Sequence, residues 1–463
     1  MVANITFDRF EGGIDLRKGN SVSDANRMQE MVDAYVTSGL AVRKRPGLVK
    51  VTTLEPGTKG LFAAFGRLHT FYGQGTLTHA DSRFVAHKVA YSKGEQAVKE
   101  VWFADVFNAF IYTAIEYADG AVEHHYLDGT EPTHIADENC PNAKEVIKAA
   151  SKLFASHGDT VRYCATGKPR DWSTANDAGF LPTGLNFHGD RAVNALGLYR
   201  NNLVAFARDG AQIWQADPDP SAMRLIDRVE NAGTNFSRTV VNVGGDLYFL
   251  SDYGFRSITT LQYTNNLADV DVGSPIDTLV QPHTRRPAAI PRAVYYYGSG
   301  QYLCALGNQL FVYSHSRTAK IAAWSRYLFP FEVDAFAELA GVLYVRHHDD
   351  IYRLSDEVTT DAGAPFEALI ELPYLDFKAP GQRKRILGAD VVIDGECELS
   401  LGFDVRYPSA HTLPLRVRGN SRAGGMLALD ACGTEFSLRL RNASHKPFRL
   451  DAITLYYEVL GRI

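Results

Sequence analysis

Short apolar and aromatic runs recur along the chain, each fed by a turn of Gly, Asn or Asp: "FGRLHTFYG", "VFNAFIYTA", "SHGDTVRYCA", "YRNNLVAFA", "GGDLYFLSD", "GSGQYLCAL" and "LAGVLYVRH". With Leu68, Ala109, Thr160, Leu203, Leu247, Tyr302 and Leu343 as anchors, the successive steps are 41, 51, 43, 44, 55 and 41 residues. Turn pairs such as Asn201-Asn202, Asp209-Gly210 and Gly244-Gly245 leave room for one strand at a time. Strands this short cannot bury both faces alone and must stack on neighbouring units. Repetition of several strands at about 40–45 residues is the spacing of propeller blades. The pattern predicts a mainly β chain built on a β-propeller of about seven blades, with six or eight fitting if the steps of 51 and 55 hold insertions. A β-helix would need a much shorter period, and one long β-sandwich would not repeat so regularly.

The two ends read differently. Residues 21–36, "SVSDANRMQEMVDAYV", place Met28, Met31, Val32 and Tyr35 at helical spacing behind Ser and Asp capping candidates, which predicts a short amphipathic helix. Residues 355–365, "SDEVTTDAGAP", lack periodicity and read as a linker. Beyond it, "CELSLGFDVRY" alternates, with Cys397, Leu399, Leu401, Phe403, Val405 and Tyr407 on one face, and "FSLRLR" and "ITLYYEVL" continue the style. The expected division is an N-terminal arm and helix over 1–55, a propeller over 56–356 and an antiparallel, sandwich-like β-domain over 366–463.

Composition narrows the class. The 463 residues are 45% apolar and 22% charged, ordinary for a folded globular chain, and the 25 Phe and 23 Tyr suit pleated surfaces. A net charge of −5 argues against non-specific coating of nucleic acid. The five cysteines, Cys140, Cys164, Cys304, Cys397 and Cys432, are odd in number and never paired as CxxC, so buried free thiols in a reducing cytoplasm are expected rather than disulfides or zinc. The N-terminus lacks an apolar signal region, and no apolar run approaches the length of a membrane span.

Chemistry is sparse. HExxH, GxGxxG, GxSxG and P-loop patterns are missing, and "ATGKPR" has Arg162 where a phosphate loop needs its first glycine. His124-His125 and the run His347-His348-Asp349-Asp350 are read as solvated strand ends, because neighbours on a strand face opposite ways and cannot share one ion. "DPDP" at 217–220 and "DVDVGSP" at 269–275 lack the oxygen spacing of a calcium loop and read as surface turns. Propellers that cut glycans set acidic pairs and an Arg cluster at their channel, yet no spacing here singles out a pair, and no Asp-box turns recur. No catalytic residue, cofactor or metal is therefore expected.

Two basic clusters remain. Arg43, Lys44 and Arg45 precede Pro46-Gly47, and Lys378, Arg383, Lys384 and Arg385 flank Pro380-Gly381. Residues 366–463 hold 13 Lys and Arg against 12 Asp and Glu, so the positive surplus is local. These seven cations are the candidate subunit-interface or channel residues, since such turns suit either carboxylates of a neighbouring subunit or phosphate.

The order "EMVDAYVTSGLAVRKRPG", "LYRNNLVAFARDGAQIW", "GTNFSRTVVNVGGDLYFLSDYGFRSI" and "LPYLDFKAPGQRKRILGADVVIDG" resembles the nozzle or hub proteins of short-tailed bacteriophages, also called DNA-stabilisation proteins or tail tubular protein B. That resemblance runs from about residue 10 to the C-terminus, and its most telling piece is the opener ending in "VRKRPG". It implies a non-enzymatic virion protein, made in the bacterial cytoplasm. The protein would form a homo-oligomer, a hexameric ring below the head-to-tail adaptor, near tail fibres, spikes or a needle. Double-stranded DNA would be retained by the ring and pass through it. The alternative is a propeller that binds or cleaves glycans.

Overall fold

A computed structural model describes residues 2–76, 81–129, 131–187, 189, 191–230, 233–263 and 271–462. The chain divides into two compact units. One comprises Lys50–Tyr295 and Val333–Arg353, the other Met1–Val49, Tyr296–Glu332 and Leu354–Ile463.

The first unit is a six-bladed β-propeller. Its blades begin with the strands Lys59–Ala64, Val98–Phe107, Val146–Ala149, Ala195–Tyr199, Val241–Val243 and Ala335–Leu339. In every blade the first hairpin turns through two consecutive residues with positive φ: Phe65-Gly66, Asn108-Ala109, Ala150-Ser151, Arg200-Asn201, Gly244-Gly245 and Ala340-Gly341. Two left-handed residues in succession are the mark of a type I′ turn, whose twist matches that of the strands it joins. The last blade is completed at its outer side by Lys50–Thr53 beside the strand that starts at Asp350, so the beginning and end of this unit's chain close the ring together.

Each blade is buried on both faces, which explains the near-continuous apolar strands. In Phe110–Tyr117, Ile111, Ile115 and Tyr117 pack with Phe71 and Val89 toward the first blade, while Tyr112 and Ala114 pack with Leu153 and Ala155 toward the third. The next interface repeats the arrangement with Phe154, Val161, Leu203 and Trp214, and the one after with Val204, Phe206, Leu247 and Phe249. The first strands lie against one another: the first blade's against those of the second and sixth, the second's against the third's, and so on to the fifth. They therefore surround the propeller axis.

The second unit is a large, mostly antiparallel sheet. Its spine is Gln382–Gly402, which pairs through its first part with Phe448–Arg462 and through its last part with Ser437–Asn442. Along it Val391, Ile393, Cys397, Leu399 and Leu401 are all buried with a period of two. The expected alternation stops at Gly402, because residues 404–407 turn instead of continuing the strand.

Three expectations are corrected here. The anchor at Tyr302 is not in a blade: its meander, Gln301–Leu306, Gln309–Ser316 and Ile321–Leu328, is a β-meander of the second unit. The blade count is thus six, within the expected range but below the preferred seven. No helix forms over 21–36; Glu30–Val32 and Ala34–Val36 are short strands on either side of Asp33, whose φ is +51°. Their pairing with remote segments, Glu30 with Glu371, Val32 with Arg326 and Ala34 with Lys44, outweighs the local helical periodicity. The expected linker also forms strand pairs, Thr360–Asp361 with Ala364–Pro365.

Candidate functional site

In the second unit the opener "VRKRPG" is folded inward. Arg45 is fully buried; its Nε donates to Asp33 Oδ1 at 2.6 Å, and Nη1 and Nη2 reach the two oxygens of Asp361 at 2.9 and 2.6 Å. The remaining donors meet the carbonyls of Pro46 (3.0 Å) and Leu328 (3.1 Å), and the guanidinium lies 3.7 Å from the Phe366 ring centroid. Burial raises the Asp33 carboxyl above its ordinary value even though Arg45 pulls it down. Burial opposes the Arg45 charge, but the bonds to Asp361 and Asp33 outweigh it and raise the guanidinium.

The expected Pro-Gly turn is absent: Gly47 opens the strand Gly47–Thr53, and its lack of a side chain allows close approach, since a Cβ there would lie 2.3 Å from the Thr360 carbonyl oxygen.

Lys44 is buried as well and donates only to neutral groups, Phe366 O (2.9 Å), Asn442 Oδ1 (3.0 Å) and Ser444 O (2.7 Å). Burial, with Arg45 beside it, lowers its ammonium to about 8. Lys384 is fully buried on the carbonyls of Ala379, Gln382 and Thr434, where burial lowers its pKa. The other four candidates reach the surface: Arg43 beside Asp356 (3.7 Å), Arg385 paired with Asp430 (3.1 Å), Arg383 donating to Cys432 Sγ (3.0 Å), and Lys378 exposed with φ +61°.

A second constellation, not legible in the sequence, lies in the propeller. A cavity of about 300 Å³ is lined by Gly60 from the first blade, Glu100 and Trp102 from the second, Ala335 from the sixth, and Arg238 and Arg292. Those strands surround the axis, so the cavity is axial. Glu100 Oε2 accepts from Arg292 Nη2 at 2.8 Å and Oε1 from Arg238 Nη2 at 3.3 Å, and Arg238 Nη2 also donates to the Val101 carbonyl.

A β-bulge sets Trp102 out of the ladder: Ala114 pairs with Phe103 and Ile115 with Val101, leaving Trp102 as the extra residue. Arg238 and Lys144 each lie 4.7 Å from its ring centroid, and its Nε1 donates to Glu116 Oε2 at 2.7 Å. An adjoining cavity of about 560 Å³ shares Trp102 and Arg238 and adds Glu145, Asn194, Asn235 and Ser237. Burial pushes the Glu145 carboxyl up to about 7, against the hydrogen bond to Ser237 and the charge of Arg238. Burial lowers the Arg238 guanidinium to about 10, leaving it charged near neutrality.

The histidines correct two further expectations. His124 and His125 are fully buried, because both blade faces are covered. They do face opposite ways: His124 Nδ1 is 2.7 Å from Tyr112 Oη and His125 Nε2 is 3.1 Å from Tyr117 Oη. His347 and His348 are not on opposite faces. His347 ends its strand and His348 turns with φ +50°, which brings their ring centroids within 4.2 Å of each other. With Asp334 they offer three donor atoms within 4.8 Å of one another, a group that could hold a metal ion.

"DPDP" forms a surface turn in which Asp219 caps Pro220–Ala222, while the first two residues of "DVDVGSP" lie outside the described residues. Among the described residues all five cysteines are free, four of them buried, and no helix is long and apolar enough to cross a membrane.

No family model and no curated protein matches the chain. Among solved structures it is similar to BamB from Moraxella catarrhalis, at 10% identity and a TM-score of 0.39 over 77% of this chain and 98% of that one. A chain described under "Crystal Structure of Mitotic Checkpoint Complex" is similar at 12% identity and a TM-score of 0.36, over 76% of this chain and 91% of that one. PorZ, a surface component of the type-IX secretion system of Porphyromonas gingivalis, is similar at 12% identity and a TM-score of 0.33, over 65% and 36%.

Proposed function

We propose that this chain is a structural virion protein, the tail nozzle or hub of a short-tailed phage, which closes as a hexameric ring below the head-to-tail adaptor and holds, then passes, the packaged DNA. One observation supports the reading: the first and last of the four stretches with the family resemblance are the ones that fix the second unit. Arg45 ties residues 33, 328 and 361 together, Lys44 holds residues 366, 442 and 444, and Lys384 holds 379, 382 and 434. The same stretches display Arg43, Lys378, Arg383 and Arg385 at the surface, where carboxylates of a neighbouring copy would meet them. Leu413 and Tyr407 of this unit are 90% and 65% exposed, as suits a chain that completes its surface with neighbours. A net charge of −5 also fits a conduit that does not hold phosphate tightly.

Native mass spectrometry of the chain, alone and mixed with the adaptor ring, tests this. Closure into a hexamer on the adaptor is expected. The double charge reversal Arg383→Glu, Arg385→Glu is expected to abolish closure while leaving the unfolding midpoint nearly unchanged, because solvent screens an exposed pair such as Arg385–Asp430. A chain that stays monomeric with the adaptor present contradicts the proposal.

A further inference from the structure

We propose that the axial cavity of the propeller is a binding site for a small carboxylate of the uronic-acid class, its carboxylate held by Arg238 and Arg292 and its hydroxyls by the neighbouring polar groups. This goes beyond the nozzle reading and does not depend on it.

The site holds buried donors that lack acceptors. Two guanidinium groups share one carboxylate, Glu100, and after that bridge Arg238 Nε and Arg292 Nη1 are buried with no acceptor among the described residues. The Arg292 side chain is only 9% exposed. A buried N–H without a partner is costly, more so on a charged group, so these atoms call for acceptors from outside the chain. A carboxylate supplies two in one plane, the geometry the guanidinium fork suits. Arg238 and Arg292 against Glu100 also leave a positive surplus, which favours an anion.

The adjoining cavity says what the carboxylate is attached to. Asn194, Asn235, Ser237 and Glu145 are small polar groups able both to donate to hydroxyls and to accept from them. Asn194 Nδ2 donates to Asn235 Oδ1 at 2.8 Å, which holds the two amides side by side. Glu145, kept largely protonated below neutrality by burial, adds no full negative charge there. A pyranose carrying a carboxylate presents the matching set. Together the cavities are of the size that takes such a ligand, since small-molecule sites begin at about 300 Å³.

The test is calorimetric titration of the full-length chain at low salt with D-galacturonate and D-glucuronate. Galactose and glucose serve as uncharged controls and inorganic phosphate as a competing anion. Binding of at least one uronate is expected, with its neutral sugar at least tenfold weaker. Arg292→Lys keeps a cation beside Glu100 but lacks the fork, and is expected to weaken uronate binding at least tenfold. Glu100→Gln removes the internal competitor and is expected to strengthen it several-fold, a gain that a merely structural Glu100 would not give. A trimer of galacturonate separates a free acid from a residue within a polysaccharide, and binding of either form supports the site. No binding of either uronate form to the folded chain, equal binding of sugar and uronate, or phosphate binding as tight as uronate would overturn the proposal, water then filling the cavity.

Discussion

Replacing Arg45 by methionine is expected to remove about 3–5 kcal/mol from the stability of the second unit, the cost of breaking a buried pair by deleting one partner. Asp33 and Asp361 are 4% and 7% exposed at their side chains, and both hold Arg45 at 2.6 Å. Without the guanidinium two carboxylates face each other across a site that water does not reach. Methionine fills much of the volume, so the loss is electrostatic and not a cavity effect. Adding Asp33→Asn and Asp361→Asn to Arg45→Met is therefore expected to restore much of it.

Acid provides a second handle on the same variant. A carboxyl whose pKa is raised by folding binds protons more tightly in the folded state, so stability rises as pH falls through that pKa. Arg45→Met should thus recover as pH falls through the raised pKa of Asp33, a gain complete only below the ordinary aspartate value. Hydrogen exchange of peptides from 30–44 and 437–442 in urea reads the effect; unchanged protection would mean that the carboxylates reach solvent without Arg45.

The propeller should respond to acid in the opposite sense. Burial holds the imidazoles of His87, His124 and His125 at about 4, well below the ordinary 6.5. A group whose pKa is lowered by folding binds fewer protons in the folded state. Its stabilising contribution is fully present above pH 6.5 and is lost as pH falls toward 4. At 1.36 kcal/mol per pKa unit, each histidine takes about 3 kcal/mol with it over that window, and three in adjacent blades make the unit acid-labile.

Each neutral ring has at least one polar neighbour. His124 lies between Tyr112 Oη and the Ala143 carbonyl, His125 meets Tyr117 Oη and the Ala90 carbonyl, and His87 shares a 2.8 Å contact with His69. A second charge on any of them would be buried, and on His87 it would face another imidazole. His124→Gln with His125→Gln is expected to lower stability at pH 7 yet flatten its fall between pH 6.5 and 4. Imidazole proton resonances that move near pH 6.5 with the fold intact would contradict this.

The propeller was legible because its blades leave near-continuous apolar runs between turns. Its blade number was not, for a reason visible at the turns. Gly244-Gly245 declares a type I′ hairpin in sequence, but Ala150-Ser151 and Asn108-Ala109 adopt the same conformation without a glycine. The meander around Tyr302 is fed by a glycine-rich turn of the same appearance, but of Gly298, Ser299 and Gly300 just the last has positive φ.

Met28, Met31, Val32 and Tyr35 mimic a helix because two short strands meet at Asp33, a reversal that local spacing cannot reveal. The basic opener was legible as a feature but not as an interior one, since the acids that receive Arg45 lie 12 residues before it and 316 after it. The axial site left no trace: Glu100, Arg238 and Arg292 come from distant segments, and only closure of the ring brings them together.

The most direct measurement is a cryo-electron microscopy reconstruction of the chain mixed with its head-to-tail adaptor. The nozzle reading predicts a closed hexameric ring seated on the adaptor, with Arg43, Lys378, Arg383 and Arg385 at subunit boundaries or on the channel wall while Lys44, Arg45 and Lys384 stay within each copy. Isolated single copies beside a bare adaptor, or a ring whose contacts leave those four cations facing open solvent outside the channel, would contradict it.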